Sequence, residues 1–308
     1  LKLVVDDLRI KDKSNSNGRF LLTGSANILA LPKLSNALVG RMSIKTLYPL
    51  ASCEALNGTG NFLADLFSVN FSNSENPYSL NTAIKSATFP ELVNKESREC
   101  NEWFESYLMT LLQRDVHSIA EIEKIGLLPK LLRLLASRAG NLMNDADISR
   151  DMGLNSVTSK SYRSILQAMF LSFNIAPWYR NIGKRLVKSP KGYLVDTLLL
   201  CHLLDWNLED IKGRKPDLYG HIVENFVATE LMKLLSFSDI RANLLHFRTS
   251  DNKEVDFVLE RPDGSLAGIE VKTADHVSKN DFKGLKVLKE LSKSDFICGI
   301  VFYTGKDV

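Results

Sequence analysis

Asp256, Glu270 and Lys272 are spaced so that strand geometry brings two carboxylates and an amine together. They lie in EVDFVLERPDGSLAGIEVKTA, which reads as two strands joined by a turn. Alternate residues of a strand point to opposite faces, so Val255, Phe257 and Leu259 form one row and Glu254, Asp256 and Val258 the other. In the second strand Ile269 and Val271 form the apolar row, Glu270 and Lys272 the polar one. The apolar rows share a side if the loop leaves an odd number of residues unpaired, and a three-residue loop with Gly264 in a left-handed conformation fits. Asp256 then stands opposite Glu270 or opposite Lys272.

Like charges facing each other in a sheet repel, and burial sharpens the conflict unless a cation or a proton intervenes. A divalent ion, Mg²⁺ or Mn²⁺, resolves it, since Mg²⁺ takes one or two carboxylates and completes its shell with waters and substrate phosphate. Lys272 would then support charge on the phosphate or position the attacking water. A solvated sheet face with cross-strand salt bridges has the same spacing. A third acid favours the chemical reading: DLYGHIVENFVATELMKLLSF repeats apolar residues at helical spacing, with Glu224 at the border of the stripe. A rim glutamate paired with a nearby base is the plainer account of Glu224.

The order helix Glu, strand Asp, then Glu-x-Lys resembles the restriction-endonuclease-like nuclease fold. That resemblance implies that Asp256 and Glu270, completed by Glu224, hold a metal, that Lys272 stabilises developing charge, and that the Val271 carbonyl is a further ligand. GRFLLTGSANILALPKLSNALVGRMSIKTLYPLASCE, YLMTLLQRDV, PWYRNIGKRLVKSPKGYLVD, YGHIVENFVATEL and HFRTSDNKEVDFVLE extend the likeness over nearly the whole chain. Together they resemble prokaryotic AAA-type ATPases that carry a C-terminal nuclease-like domain of unknown function. In that frame Phe20 to Leu22 is a buried strand delivering Thr23 and Ser25 to a nucleotide γ-phosphate, and Arg41 is a trans-acting or sensor arginine. A strand, turn and helix capped by Ser25 or Asn27 fits the same residues. The sequence contains no G-x-x-x-x-G-K-[ST] and no strand ending in a Walker B acidic pair. Val4-Val5-Asp6-Asp7 is superficially similar, but the resemblance places it after that strand, in the helix before the sensor strand. ATP is therefore expected only in a longer parent protein, of which a chain starting at Leu1 would be a fragment; a degenerate gene product is the alternative. The family's glycines before Phe89-Pro90-Glu91 are replaced here by Ser86, Ala87 and Thr88, which alters the expected loop.

LPKLLRLLASRAG, DADISRDMGL and SVTSKSYRSILQAMFLSF read as helices, the second closing at Gly153 and the third capped by Ser156. IAPW and KGYLVD are short strands on either side of the basic loop YRNIGKRLVKSPKG. This is the winged-helix plan, in which the third helix enters a major groove and the loop follows the backbone. Lys160 and Arg163, near Ser159 on that helix, join Arg180, Lys184, Arg185, Lys188 and Lys191 in a patch able to neutralise several phosphates. A protein-docking spacer with a solvated basic loop has the same pattern.

The net charge is only +3, so nucleic-acid affinity has to be local, and 44% hydrophobic residues exclude a wholly disordered chain. Cys53, Cys100, Cys201 and Cys298 read as unpaired thiols of a reducing cytoplasm. No apolar run is long enough to cross a bilayer. His202, His221 and His246 show no metal-ligand spacing. The expected architecture is an α/β multidomain chain. Residues 1–55 are the C-terminal end of a P-loop ATPase module, 56–125 a variable connector with helices, 126–200 a winged-helix-like helical middle, and 201–308 a restriction-endonuclease-like α/β domain. The expected function is ATPase-linked nucleic-acid binding with a Mg-dependent nuclease site, DNA being the favoured partner. The alternative is a non-catalytic DNA- or partner-binding module under ATPase control. The ATPase module allows a homo-oligomer; no membrane partner is expected, and the location is expected to be cytoplasmic.

Overall fold

The computed structural model describes residues 2–11, 18–27, 42–71, 77–115, 125–181, 183 and 188–305. The N-terminal helix α1 (Lys2–Lys11) forms as expected. The strand expected at Phe20–Leu22 does not: residues 18–27 lack regular structure, and Phe20, Leu21 and Leu22 are 48%, 91% and 58% exposed. Among the described residues no strand precedes Ser172, and strands without neighbours are not stable in water. Thr23 and Ser25 are accordingly exposed and not delivered by a strand to the mouth of a sheet. Arg41 lies outside the described residues.

Four helices follow, α2 (Ser52–Ala55), α3 (Phe62–Ser68), α4 (Leu80–Ser86) and α5 (Ser97–Thr110). They are more than a loose connector, because Leu63, Leu66, Ile84 and Phe104 are fully buried in the main core. Next come α6 (Leu128–Ala136), α7 (Asp145–Met152), α8 (Ser156–Ala168), β1 (Ser172–Pro177) and β2 (Lys191–Leu194), in the expected helix and strand order. Gly153, at φ 64°, ends α7. The cap of α8 is Asn155, whose side chain accepts from the Thr158 N–H, so Ser156 is the first helical residue and not the cap.

The remaining elements are α9 (Thr197–Leu203), α10 (Leu208–Arg214), α11 (Pro216–Phe237), β3 (Asn243–Arg248), β4 (Glu254–Glu260), β5 (Leu266–Val271), α12 (Lys283–Ser292) and β6 (Phe296–Phe302). One sheet runs in the order β2-β1-β3-β4-β5-β6. The β1–β2 hairpin is therefore no separate wing: β1 pairs in parallel with β3, Ala176 with Leu245 and Pro177 with His246. The boundary expected at residue 200 does not interrupt the sheet.

Helix α11 is central, not a surface amphipathic helix, since none of residues 219–235 is exposed. Several of its polar residues hold neighbouring elements. Asn225 accepts from the Leu194 N–H and donates to Leu194 O and Thr197 Oγ1, which ties β2 and α9 to the helix. Lys233 donates to the carbonyls of Leu50 and Ala87, each at 3.0 Å, and Glu230 accepts from the backbone and hydroxyl of Ser52.

The β4–β5 turn has the three-residue form. Arg261 and Ser265 are joined by a backbone hydrogen bond, leaving Pro262, Asp263 and Gly264 as the loop, with Gly264 at φ 88°. The register pairs Phe257 with Ile269, which puts Asp256 on the row of Glu270. Simple alternation along β4 fails, however. Between Leu245↔Val258 and Phe247↔Val255 the β3–β4 register shifts, so β4 carries one extra residue. Val255 joins Val258 in the core beneath α12, while Phe257 and Leu259 face the α11 side. A bulge of this kind re-aims a side chain. Here it frees Asp256 to meet groups on the α11 side.

Candidate active site

Glu224 from α11, Asp256 from the bulge of β4, and Glu270 and Lys272 from the end of β5 converge around a residue not expected among them. Lys191, on β2, is 4% exposed. Its Nζ lies 2.9 Å from Glu224 Oε1 and 3.0 Å from Asp256 Oδ1. Tyr193, two residues on, donates its hydroxyl to the same Glu224 oxygen at 2.7 Å. Asp256 Oδ2 accepts from the Val271 N–H at 3.0 Å, and Lys272 Nζ donates to Glu270 Oε1 at 2.7 Å. Gly140, at φ 79°, leaves room for Glu224: a Cβ there would stand 3.0 Å from Oε2.

The cluster holds three carboxylates against two ammonium groups. Burial, followed by the Asp256 charge, raises both Glu224 and Glu270 to about 7. Burial opposes the Lys191 charge, but Asp256 and Glu224 outweigh it and hold the ammonium above its ordinary value. Lys272 is likewise raised against the effect of burial, through its bond to Glu270. Burial and then the Lys191 charge lower His246 to about 4, so this neighbour stays neutral. Glu270 Oε2 is buried without a hydrogen-bond partner. The deficit of positive charge is thus felt at a particular atom.

The expected nucleic-acid patch is partly dismantled. Lys191 cannot reach a phosphate from its buried position between two acids. Arg163 is buried too and is ion-paired with Asp145 of α7, which also holds Lys160 at 3.0 Å. Both helix cations therefore share the single carboxylate of Asp145, with Arg163 buried against it and Lys160 largely exposed. Lys188 is exposed, Arg180 donates to the Leu291 carbonyl at 3.3 Å, and Lys184 and Arg185 lie outside the described residues. The signal for Lys191 was present in KGYLVD: once that segment is a strand, Lys191 and Tyr193 share a face, and a buried Tyr193 takes Lys191 inward with it.

Residues 219–308 match DUF4143. It is a domain of unknown function, and residues 79–210 match a second one, DUF8612. An uncharacterized protein of Mycobacterium tuberculosis is 26% identical over 261 residues, 85% of this chain and 54% of its own length. An uncharacterized protein of Haemophilus influenzae is 24% identical over 270 residues, 85% of this chain and 60% of its length. The chain thus spans little more than half of these relatives. No solved structure matches. Among the described residues no helix is long and apolar enough to cross a membrane.

Three of the site's carboxylates come from the DUF4143 region, and its buried cation comes from the DUF8612 region. Hard oxygen donors of this kind suit Mg²⁺ or Mn²⁺, and the unpartnered Glu270 Oε2 is an acceptor in want of a cation. Yet among the described residues no three or more Asp, Glu, His or Cys side chains are grouped to hold a metal ion, and an ammonium stands between Glu224 and Asp256. The donors fit in kind; they do not form a ready-made cage.

A pH dependence follows from the same charges. Glu224 and Glu270 keep a proton to about pH 7 when folded, against an ordinary value of 4.5. The folded state therefore binds more protons across that window, and stability falls as pH rises from 4.5 to about 7, then levels. In Glu270→Gln one of the two contributions disappears. Urea unfolding in EDTA at half-unit pH steps is expected to show a shallower fall, with about 1–2 kcal/mol more stability than wild type at pH 8. A slope as steep as that of wild type would exclude a raised Glu270.

Proposed function

We propose that this chain carries a divalent-metal-dependent phosphodiester-hydrolysing site that acts on nucleic acid, with DNA the favoured substrate. The observation that supports it best is the convergence of Glu224, Asp256, Glu270 and Lys272 from three elements, with a buried carboxylate oxygen left unpartnered. Asp256 and Glu270, with Glu224 beside them, would hold Mg²⁺ or Mn²⁺, which when bound lowers the pKa of water and screens a phosphodiester. Lys272, its side chain 34% exposed, is the cation best placed to donate to a phosphate oxygen as charge builds there. Glu224 would orient the attacking water through the oxygen that Lys191 and Tyr193 leave free. Exposed Lys188 and the neighbouring basic stretch would hold the strand. In a longer parent protein we place this site under the control of an ATPase module, consistent with relatives nearly twice the matched length.

A second reading, a non-catalytic nucleic-acid- or partner-binding module, draws support from the ammonium that stands between Glu224 and Asp256. End-labelled single-stranded and duplex DNA and RNA incubated with Mg²⁺, Mn²⁺ or EDTA separate the two. Cleavage is expected with either metal, none in EDTA, and none for Lys272→Ala. Cleavage that persists in Lys272→Ala, or none by wild type under any condition, would remove the catalytic reading.

A further inference from the structure

We propose that Lys191 is a built-in competitor for the metal: its ammonium occupies the cation position between Glu224 and Asp256, and a divalent ion binds tightly only when that amine gives way. The inference rests on the metal-dependent reading above and adds a regulatory element to the same site.

The geometry carries it. An amine at 2.9 and 3.0 Å from one oxygen of each carboxylate does electrostatically what a divalent ion would do there. A metal ligated by those same two oxygens excludes the amine, because Mg²⁺ draws its oxygens to about 2.0–2.1 Å and would fill the position that the ammonium holds. The amine is also tethered. Lys191 pairs with Ile175 of β1, and on the other side of the strand the 141–143 segment bonds to Pro190 and Gly192. Displacement is therefore a movement of the side chain alone, and the competitor stays within reach at all times. Lys272 differs on each point. It is one-third exposed, it has one carboxylate partner in Glu270, and it is free to face a phosphate while Lys191 is not. Of the two amines, Lys191 is the one that bridges two carboxylates, so its removal leaves Glu224 and Asp256 without a shared cation and Glu224 with the Tyr193 hydroxyl alone of these two donors.

The test is Mn²⁺ binding to the full chain, followed by the loss of the free Mn²⁺ signal in electron paramagnetic resonance, together with the Mn²⁺-induced shift of the unfolding temperature. Wild type, Lys191→Met and the charge-retaining Lys191→Arg are compared. Lys191→Met is expected to bind Mn²⁺ about ten- to a hundredfold more tightly than wild type, the size of effect that changes around metal ligands produce. Lys191→Arg is expected to bind no more tightly than wild type. If Lys191→Met is unfolded without metal, Mn²⁺ should restore the fold, because the ion would replace the missing charge; failure to do so counts against the proposal. Equal or weaker binding by folded Lys191→Met overturns the competition and leaves the metal-dependent reading intact. No Mn²⁺ binding by any of the three overturns both.

Discussion

Asp256→Asn is expected to lower metal-dependent cleavage by about a hundred- to a thousandfold, the scale on which loss of one preorganised charge-stabilising group is felt. Asp256 is the hub of the cluster. One oxygen meets the Lys191 ammonium, the other the Val271 N–H, and its charge raises both Glu224 and Glu270. An asparagine has the same shape but presents an acceptor on one side and a donor on the other. It must therefore turn its NH₂ against either Lys191 or Val271, donor against donor, at a cost of about 1–3 kcal/mol in folding stability. Initial rates on labelled duplex in Mn²⁺, taken well below the unfolding midpoint, separate chemistry from folding. A folded Asp256→Asn that retains a tenth of the wild-type rate would remove Asp256 from the reaction.

Lys233→Met is expected to cost about 3–5 kcal/mol, the penalty of breaking a buried charge network from one side. The ammonium is fully buried and satisfies two backbone carbonyls, Leu50 and Ala87, as well as Glu230 at 3.4 Å. Its charge also steadies Asp196, a fully buried carboxyl that burial raises and Lys233 lowers. Methionine fills the volume and supplies none of these bonds. Since domains of ordinary stability have about 5–15 kcal/mol in total, the loss is a large fraction. Guanidinium unfolding followed by circular dichroism reads it. A change below 1 kcal/mol would show that the segments around residues 50 and 87 fold independently of α11.

The helix, strand, turn and strand that position the site were legible because each has a local cause. Gly264 favours the three-residue turn, the apolar rows narrow the register to two choices, and the helical spacing around Glu224 is strong. The β4 bulge was not legible: parity arguments assume one residue against one, and nothing in EVDFVLE marks the extra one. Lys191 was misplaced for a different reason. A lysine next to Lys184, Arg185 and Lys188 looks solvated as long as charge is read along the chain, and its burial depends on carboxylates 33 and 65 residues away. Arg163 failed likewise, since Asp145 neutralises it from another helix. The buried strand expected at Phe20 needed a sheet beside it, and among the described residues that neighbour does not exist.

The continuous sheet has a consequence for inheritance. The two matched regions, 79–210 and 219–308, are separated by residues 211–218, which run from within α10 into α11, and the site straddles that junction: two of its donors, Lys191 and Tyr193, lie in the first region and its carboxylates in the second. A recombination event or an expression boundary placed there would deliver an acidic cluster stripped of its buried cation and its tyrosine. A substitution at position 191 in one region is therefore expected to be answered at 224 or 256 in the other.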